Sequence, residues 1–168
     1  GKRSQLGAHF TSREDILLII EPVLMTPLRR RWEEIKAQAV TEGKNRDEMI
    51  TGWQARKDRT QDAIRQQVTT INTQATNRIL NLLRSFQSEL TQITVLDPAC
   101  GSGNFLFLAL TSLLDLWKEV YDLMRELRLT GFAPLPESAT PSPRQMFGIE
   151  INEYAHELAQ ATIWIGYI

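Results

Sequence analysis

The chain has 168 residues, of which 42% are hydrophobic and 23% charged, so it is long enough to form one domain with a buried core. Its formal net charge of −1 gives no overall attraction to nucleic acid or to an acidic membrane, so any DNA contact would need a local patch or further chain. The single cysteine and two histidines exclude an internal disulfide and disfavour a Cys-rich or His-rich metal site, and no apolar run approaches the roughly 20 residues that span a bilayer. We therefore expect a cytoplasmic protein that binds no metal and no membrane.

The first half of the sequence is predicted to be helical. Apolar residues recur at helical spacing over 13–20, 28–42, 45–70 and 72–90. Ser12 and Asp15 have the spacing of a capping box, and Pro22 and Pro27 are expected to end the first helix. Gly43 stands where a C-cap glycine would end the second helix.

The second half alternates strand and helix patterns. The sequence predicts a strand over 93–96, a helix over 105–129, a proline-rich loop, a strand over 146–151, and a helix over 153–165 capped by Asn152. This order predicts a parallel α/β sheet. We divide the chain into a segment 1–27, a helical region 28–91 and an α/β region 92–168.

The turn that joins the first strand to the long helix is the strongest candidate for a ligand site. Gly101 and Gly103 lack a Cβ, so the backbone there can adopt φ > 0 and come close to a ligand. The helix that follows directs unpaired N–H groups toward the same place. Asp97, at the strand end, argues against a phosphate and favours a ligand with positive charge or hydroxyl donors.

Two further features would complete a nucleoside site. Glu150 falls at the end of the second strand, where a carboxylate can accept hydrogen bonds from both hydroxyls of a ribose. Phe10 and Thr11 precede a helix N-terminus. Each feature alone also fits a structural role: a tight loop, an exposed strand-end acid, or a helix cap.

Two common nucleotide fingerprints do not fit the turn. A nicotinamide-dinucleotide site needs a glycine or alanine where Leu106 stands, together with an acid about 20 residues later. A phosphate-binding P-loop needs Gly-Lys-Ser/Thr after the glycines, which is missing. The pattern therefore favours a nucleoside with a cationic or zwitterionic tail.

The stretch Asp97-Pro98-Ala99-Cys100-Gly101-Ser102-Gly103-Asn104-Phe105 resembles motif I of the S-adenosylmethionine-dependent (SAM-dependent) N6-adenine DNA methyltransferases. Gly148-Ile149-Glu150-Ile151 resembles their motif II, and Gly7-Ala8-His9-Phe10-Thr11-Ser12 resembles their motif X. Type I methylation subunits, fused restriction-modification enzymes and phage-defence methyltransferases share this motif order. The resemblance implies the start of a Rossmann-like methyltransferase sheet, preceded by a helical N-terminal region.

The resemblance also implies a cofactor pocket for S-adenosylmethionine. Asp97 and the backbone of 99–103 would face the methionine part, Glu150 would hold the ribose hydroxyls, and Ile151 would pack on the adenine ring. Phe10 and Thr11 would close the methionine side. The implied cofactor-binding residues are Phe10, Thr11, Asp97, Pro98, Ala99, Cys100, Gly101, Ser102, Gly103, Asn104, Phe105, Glu150 and Ile151. Cys100 would be a small buried residue and not a nucleophile.

One departure bears on activity. The family's catalytic tetrapeptide, Asn or Asp followed by Pro-Pro and an aromatic, holds a flipped adenine, but the sequence contains no Pro-Pro. We therefore expect an inactive fragment of a longer protein, whose partner is double-stranded DNA and which can self-associate through an apolar sheet edge. Two alternatives remain: a helical interaction or DNA-docking module on an α/β scaffold without cofactor, and a methyltransferase that acts on RNA or protein.

Overall fold

The computed structural model describes residues 11–129 and 140–167. That part of the chain contains helices α1 (Arg13–Ile20), α2 (Thr26–Gln54), α3 (Gln61–Leu90), α4 (Asn104–Glu126) and α5 (Glu153–Tyr167) and strands β1 (Val95–Asp97) and β2 (Met146–Gly148). A π-helical turn, Glu21–Met25, and a 3₁₀ turn, Pro143–Gln145, complete the elements. Phe10 and residues 130–139, with most of the predicted proline-rich loop, lie outside the described residues.

Helix α1 begins where the sequence predicts. The Ser12 hydroxyl oxygen accepts the N–H of Asp15 at 3.1 Å, and the hydroxyl donates to the Asp15 carboxylate at 2.9 Å. In a full capping box the Asp15 carboxylate would accept the Ser12 backbone N–H, but here it accepts the Ser12 hydroxyl instead.

Helix α1 ends at Ile20, as predicted, but the two prolines do not break the helical path of the chain there. A single π-helical turn carries α1 directly into α2, with Pro22 in its first turn and Pro27 in the first turn of α2. A proline lacks the N–H and its ring clashes with the carbonyl four residues earlier. The wider π turn, in which Thr26 N–H bonds to Glu21 O, accommodates both rings.

Helices α2 and α3 form a long antiparallel hairpin, so the predicted helix over 45–70 was wrong. The chain turns at 55–60, where the Thr60 side chain accepts the N–H of Ala63 at 3.3 Å. Both Trp32 and Phe86 are 1% exposed, and they stack between the two helices with ring centroids 5.6 Å apart. This pair anchors the hydrophobic core on the helical side.

Gly43 does not cap a helix, because α2 continues through it. A Cβ at Gly43 would lie 3.1 Å from Leu127 Cδ2, so the glycine lets the end of α4 pack closely on α2. Nearby, the buried Arg46 guanidinium donates to Leu127 O at 3.2 Å and to the Asp47 carboxylate at 2.8 Å. A cation at a helix C-terminus satisfies an unpaired carbonyl and interacts favourably with the helix dipole.

The predicted parallel arrangement is confirmed for the two strands that the described residues contain. Strands β1 and β2 pair in parallel with Val95 opposite Met146, Leu96 opposite Phe147 and Asp97 opposite Gly148. Helix α4 packs on one face of the sheet, while Leu96 and Phe147 on the other face are 61% and 51% exposed. Both strands are three residues long. Strand β2 is shorter than the predicted 146–151, and β1 lies closer to Asp97 than the predicted 93–96.

The buried side chain of Gln145 joins three segments just before β2. Its amide nitrogen donates to Leu90 O at 2.8 Å and to Ile93 O at 2.7 Å, and its amide oxygen accepts the N–H of Ser142 at 2.8 Å. One side chain thus fixes the end of α3, the approach to β1 and the approach to β2. Among the described helices, none combines the length and apolar character needed to cross a membrane.

Candidate functional site: the glycine turn

The turn between β1 and α4 has the conformation that its two glycines predict. Gly101 and Gly103 adopt φ values of +53° and +83°, which side chains with a Cβ rarely adopt. Gly103 N–H donates to Cys100 O at 2.8 Å, and Gly103 O accepts the N–H of Phe107 at 2.8 Å as the first bond of the helix. Gly103 is thus the N-cap of α4.

The two glycines differ in what lies beside them. A Cβ at Gly101 would meet nothing within 4 Å, whereas a Cβ at Gly103 would lie 3.0 Å from the Ala159 backbone. The turn is therefore open at Gly101 and closed at Gly103. A ligand could approach the backbone only on the open side.

Asp97 and Glu150 are brought to the same edge of the sheet by the pairing of the strands. Just past the paired strands, Ile149 N–H donates to Asp97 O at 2.9 Å and Cys100 N–H donates to Ile149 O at 3.0 Å. These bonds continue the connection from the strands into the turn. The carboxyl ends of the two strands therefore meet, as expected for an open parallel sheet.

Each carboxylate has one oxygen held by the backbone. Asp97 Oδ1 accepts the N–H of Ala99 at 3.0 Å, and Glu150 Oε1 accepts the N–H of Asn152 at 2.8 Å. Within the described chain, no hydrogen bond engages the second oxygen of either group. Both side chains are therefore oriented while an acceptor remains available. Asn152 in turn caps α5, as predicted, because its side-chain oxygen accepts the N–H of Ala155 at 3.1 Å.

Cys100 lies near both acids and packs on the second strand. Burial raises the pKa of its thiol, and the negative charges of Asp97 and Glu150 raise it further. A Cβ at Gly148 would lie 2.6 Å from Cys100 Sγ, so the thiol packs directly on the β2 backbone. Cys100 is a buried neutral packing residue here, which agrees with the sequence prediction.

The remaining predicted residues differ in exposure. Ser102, Asn104 and Phe105 are half-buried, whereas Pro98 and Ala99 are exposed. The Ile151 side chain is 98% exposed and Thr11, before α1, is also exposed. The described residues show no hydrogen bond between Thr11 and the turn.

Comparison with known proteins assigns the chain to a family. Residues 69–167, more than half of the chain, match the model of the family described as the MmeI DNA-methyltransferase domain. The chain belongs to this family. The match to the MmeI methyltransferase domain begins within α3 and includes β1, the glycine turn, α4, β2 and α5.

Two relatives agree with this assignment. DNA methyltransferase A of Bacillus subtilis is 28% identical over 163 residues, which are 97% of this chain and 13% of the relative. A Methanocaldococcus jannaschii protein, whose name describes it as a candidate type II restriction enzyme and methyltransferase, is 36% identical over 88 residues, 52% of this chain and 7% of the relative. The chain thus spans a small part of both relatives. No solved structure matches it.

The sequence pattern did not identify every residue that shapes the site of this MmeI-family chain. Gln145 and Ala159 were missed, and Gly148 was noted only as part of motif II. The spacing Ser142-Pro143-Arg144-Gln145 is a capping-box signal that could have drawn attention to Gln145. No local signal identifies Ala159, because its contact with Gly103 depends on how α5 packs.

Other features of the described chain do not compete with the turn. No group of three or more His, Cys, Asp or Glu side chains in it is arranged to hold a metal. A groove of about 490 Å³ lies between α2 and α3, lined by Ala37, Thr41, Leu82 and the ion pair of Arg78 with Glu42 at 3.2 Å. It is mostly apolar and contains no backbone or side-chain arrangement typical of a nucleoside site.

Proposed function

We propose that the chain carries the SAM-binding half of a DNA methyltransferase that methylates adenine N6. The observation that carries the proposal is that the parallel strand pair brings Asp97 and Glu150 to the same edge of the sheet, beside a glycine turn that is open at Gly101. The family assignment supports methyl transfer to DNA, and the resemblance of motifs X, I and II supports SAM and adenine N6.

The residues present fit this cofactor. Asp97 has an acceptor oxygen for the methionine part, whose ammonium and sulfonium are cationic. Glu150 has one for the ribose hydroxyls. The open space at Gly101 admits a ligand against the backbone, and the exposed Ile151 side chain offers an apolar surface for adenine. Phe10 and Thr11 would close the methionine side, as the resemblance implies.

The chain's own contribution to the reaction is position. When bound, SAM supplies an electrophilic methyl group. The two carboxylates and the turn backbone orient the cofactor relative to the acceptor nitrogen. The sequence has no Asn-Pro-Pro-aromatic run to hold the target base, so the methyl transfer step requires groups from the rest of a longer protein. We propose that such a protein works in a restriction-modification or phage-defence system.

Calorimetric titration with SAM tests the cofactor site. Glu150→Gln and Asp97→Asn should each weaken binding by about tenfold or more, since each removes a charged acceptor from the ligand. The matched controls Glu89→Gln and Asp115→Asn change exposed acids on α3 and α4 and should bind SAM like the parent chain. Equal affinity in all four variants would contradict the assignment.

The target base requires a separate measurement. The longer protein that carries this chain is incubated with labelled SAM and, in separate reactions, unmethylated DNA, RNA or protein. The labelled products are then digested and separated. We expect the label in N6-methyl-2′-deoxyadenosine from double-stranded DNA. Label in cytosine, in RNA or in protein would overturn the adenine assignment but leave the SAM site intact.

A further inference from the structure

Helix α5 closes the back of the glycine turn through one small side chain. A Cβ at Gly103 would lie 3.0 Å from Ala159 Cα and 3.1 Å from both its Cβ and its carbonyl oxygen. Ala159 is 5% exposed, so its side chain is buried where α5 packs on the turn. The Ala159 methyl group is thus packed directly against the backbone of the turn.

The position of α5 is also fixed beyond Ala159. Two turns later a Cβ at Gly166 would lie 2.6 Å from the ring of Phe107 on α4, and Ile163 and Tyr167 pack against the hydrophobic core. The helix therefore cannot move away from α4 at one point without disturbing these contacts. Close-packed interiors transmit such strain to their most yielding part. Here that part is the turn, which is open to solvent at Gly101.

We infer that Ala159 is a positioning residue for the glycine turn. Its small size sets how far the backbone from Cys100 to Gly103 extends toward the open side, without any contact between Ala159 and a ligand. The consequence for SAM affinity rests on the proposed function. The consequence for the conformation of the turn does not.

Substitutions of equal size on the same helix test this role. Ala159→Val adds two methyl groups at the contact, Ala159→Ser nearly conserves the volume, and Ala161→Val makes the same change at an exposed position two residues later. The β-branched side chain costs helix propensity equally at both positions. A difference between the two valine variants therefore reports the contact with the turn.

The direct readout is amide hydrogen exchange in the ligand-free chain. The relevant amides are Gly103, bonded to Cys100 O, and Phe107, bonded to Gly103 O. In Ala159→Val we expect both to exchange about tenfold faster because overpacking opens the turn locally, while amides in α3 stay unchanged. Ala159→Ser and Ala161→Val should remain within about twofold of the parent chain, as expected where volume is conserved or the site is exposed.

The second readout is the affinity for SAM. Ala159→Val should lower it about tenfold, and Ala161→Val should not change it. If the exchange rates respond as expected and the parent chain does not bind SAM, the proposed function fails and the positioning role stands. If the two valine variants agree in exchange and in affinity, the positioning role is overturned. If Ala159→Val does not fold, Ala159→Gly and Ala161→Gly replace the two valine variants. The Gly103 and Phe107 amides should then exchange faster only in Ala159→Gly.

Discussion

Replacing Gln145 with methionine tests whether its three hydrogen bonds hold the sheet to the helical hairpin. The change keeps the length of the side chain but removes the partners of Leu90 O, Ile93 O and Ser142 N–H. Gln145 is 6% exposed, and its bond to Leu90 O is fully buried. Methionine can fill the space, so the cost comes mainly from the polar groups left without a partner.

The expected loss follows from the burial of each bond. A buried polar group without a partner costs about 1–3 kcal/mol, and each of the two partly buried bonds contributes about 0.5–1.5 kcal/mol. We therefore expect Gln145→Met to lower the free energy of unfolding by about 2–6 kcal/mol, a large share of the roughly 5–15 kcal/mol typical of a domain.

Urea denaturation followed by circular dichroism measures this change. The midpoint should fall with little change in the slope, because the folded structure is retained. The control Gln66→Met makes the same substitution at an exposed position of α3, where glutamine and methionine have similar helix propensity. A loss in Gln145→Met within about 0.5 kcal/mol of the control would refute the reasoning, since exposed substitutions stay in that range.

Three further predictions concern the packing of α2, the thiol and the exposed sheet face. Gly52→Ala should raise the free energy of unfolding by about 0.5–1 kcal/mol, because a Cβ there meets nothing within 4 Å. Gly43→Ala should raise it less, since its Cβ would meet Leu127 at 3.1 Å. Thermal unfolding of both variants measures the difference. Cys100 should react with iodoacetamide more slowly in the folded than in the unfolded chain, and equal alkylation rates would contradict this prediction. The stability that comes from the raised thiol pKa should be lost as the pH rises from the ordinary thiol pKa through the raised pKa. The chain should self-associate at high concentration in analytical ultracentrifugation, and Phe147→Lys should shift it toward the monomer.

The elements that the sequence predicted well are those specified by neighbouring residues. The conformation of the turn follows from Gly101 and Gly103, because few other residues adopt positive φ. The starts of α1 and α5 follow from Ser12 and Asn152. Each side chain caps its helix by accepting the backbone N–H of the residue three positions later. The convergence of the strand ends follows from the parallel order of the elements.

The wrong predictions have three different physical causes. Gly43 lies inside a helix because Leu127 needs the space, and sequence spacing cannot show that. Pro22 and Pro27 are tolerated because one π turn changes the local geometry. The reversal at 55–60 contains neither glycine nor proline, so the usual turn signals are missing.

The strand register has a consequence for how chain length can vary between β1 and β2. The pairing of Asp97 with Gly148 and the backbone bonds of Ile149 set where Glu150 stands, so the number of residues between Leu129 and Ser142 does not enter the geometry of the site. Doubling the length of a connecting loop adds only about 0.6 kcal/mol to the entropic cost of closing it. A single residue inserted within Met146–Gly148 would instead reverse the face of every later side chain in the strand. Insertions should therefore be tolerated between Leu129 and Ser142 and excluded from the strand.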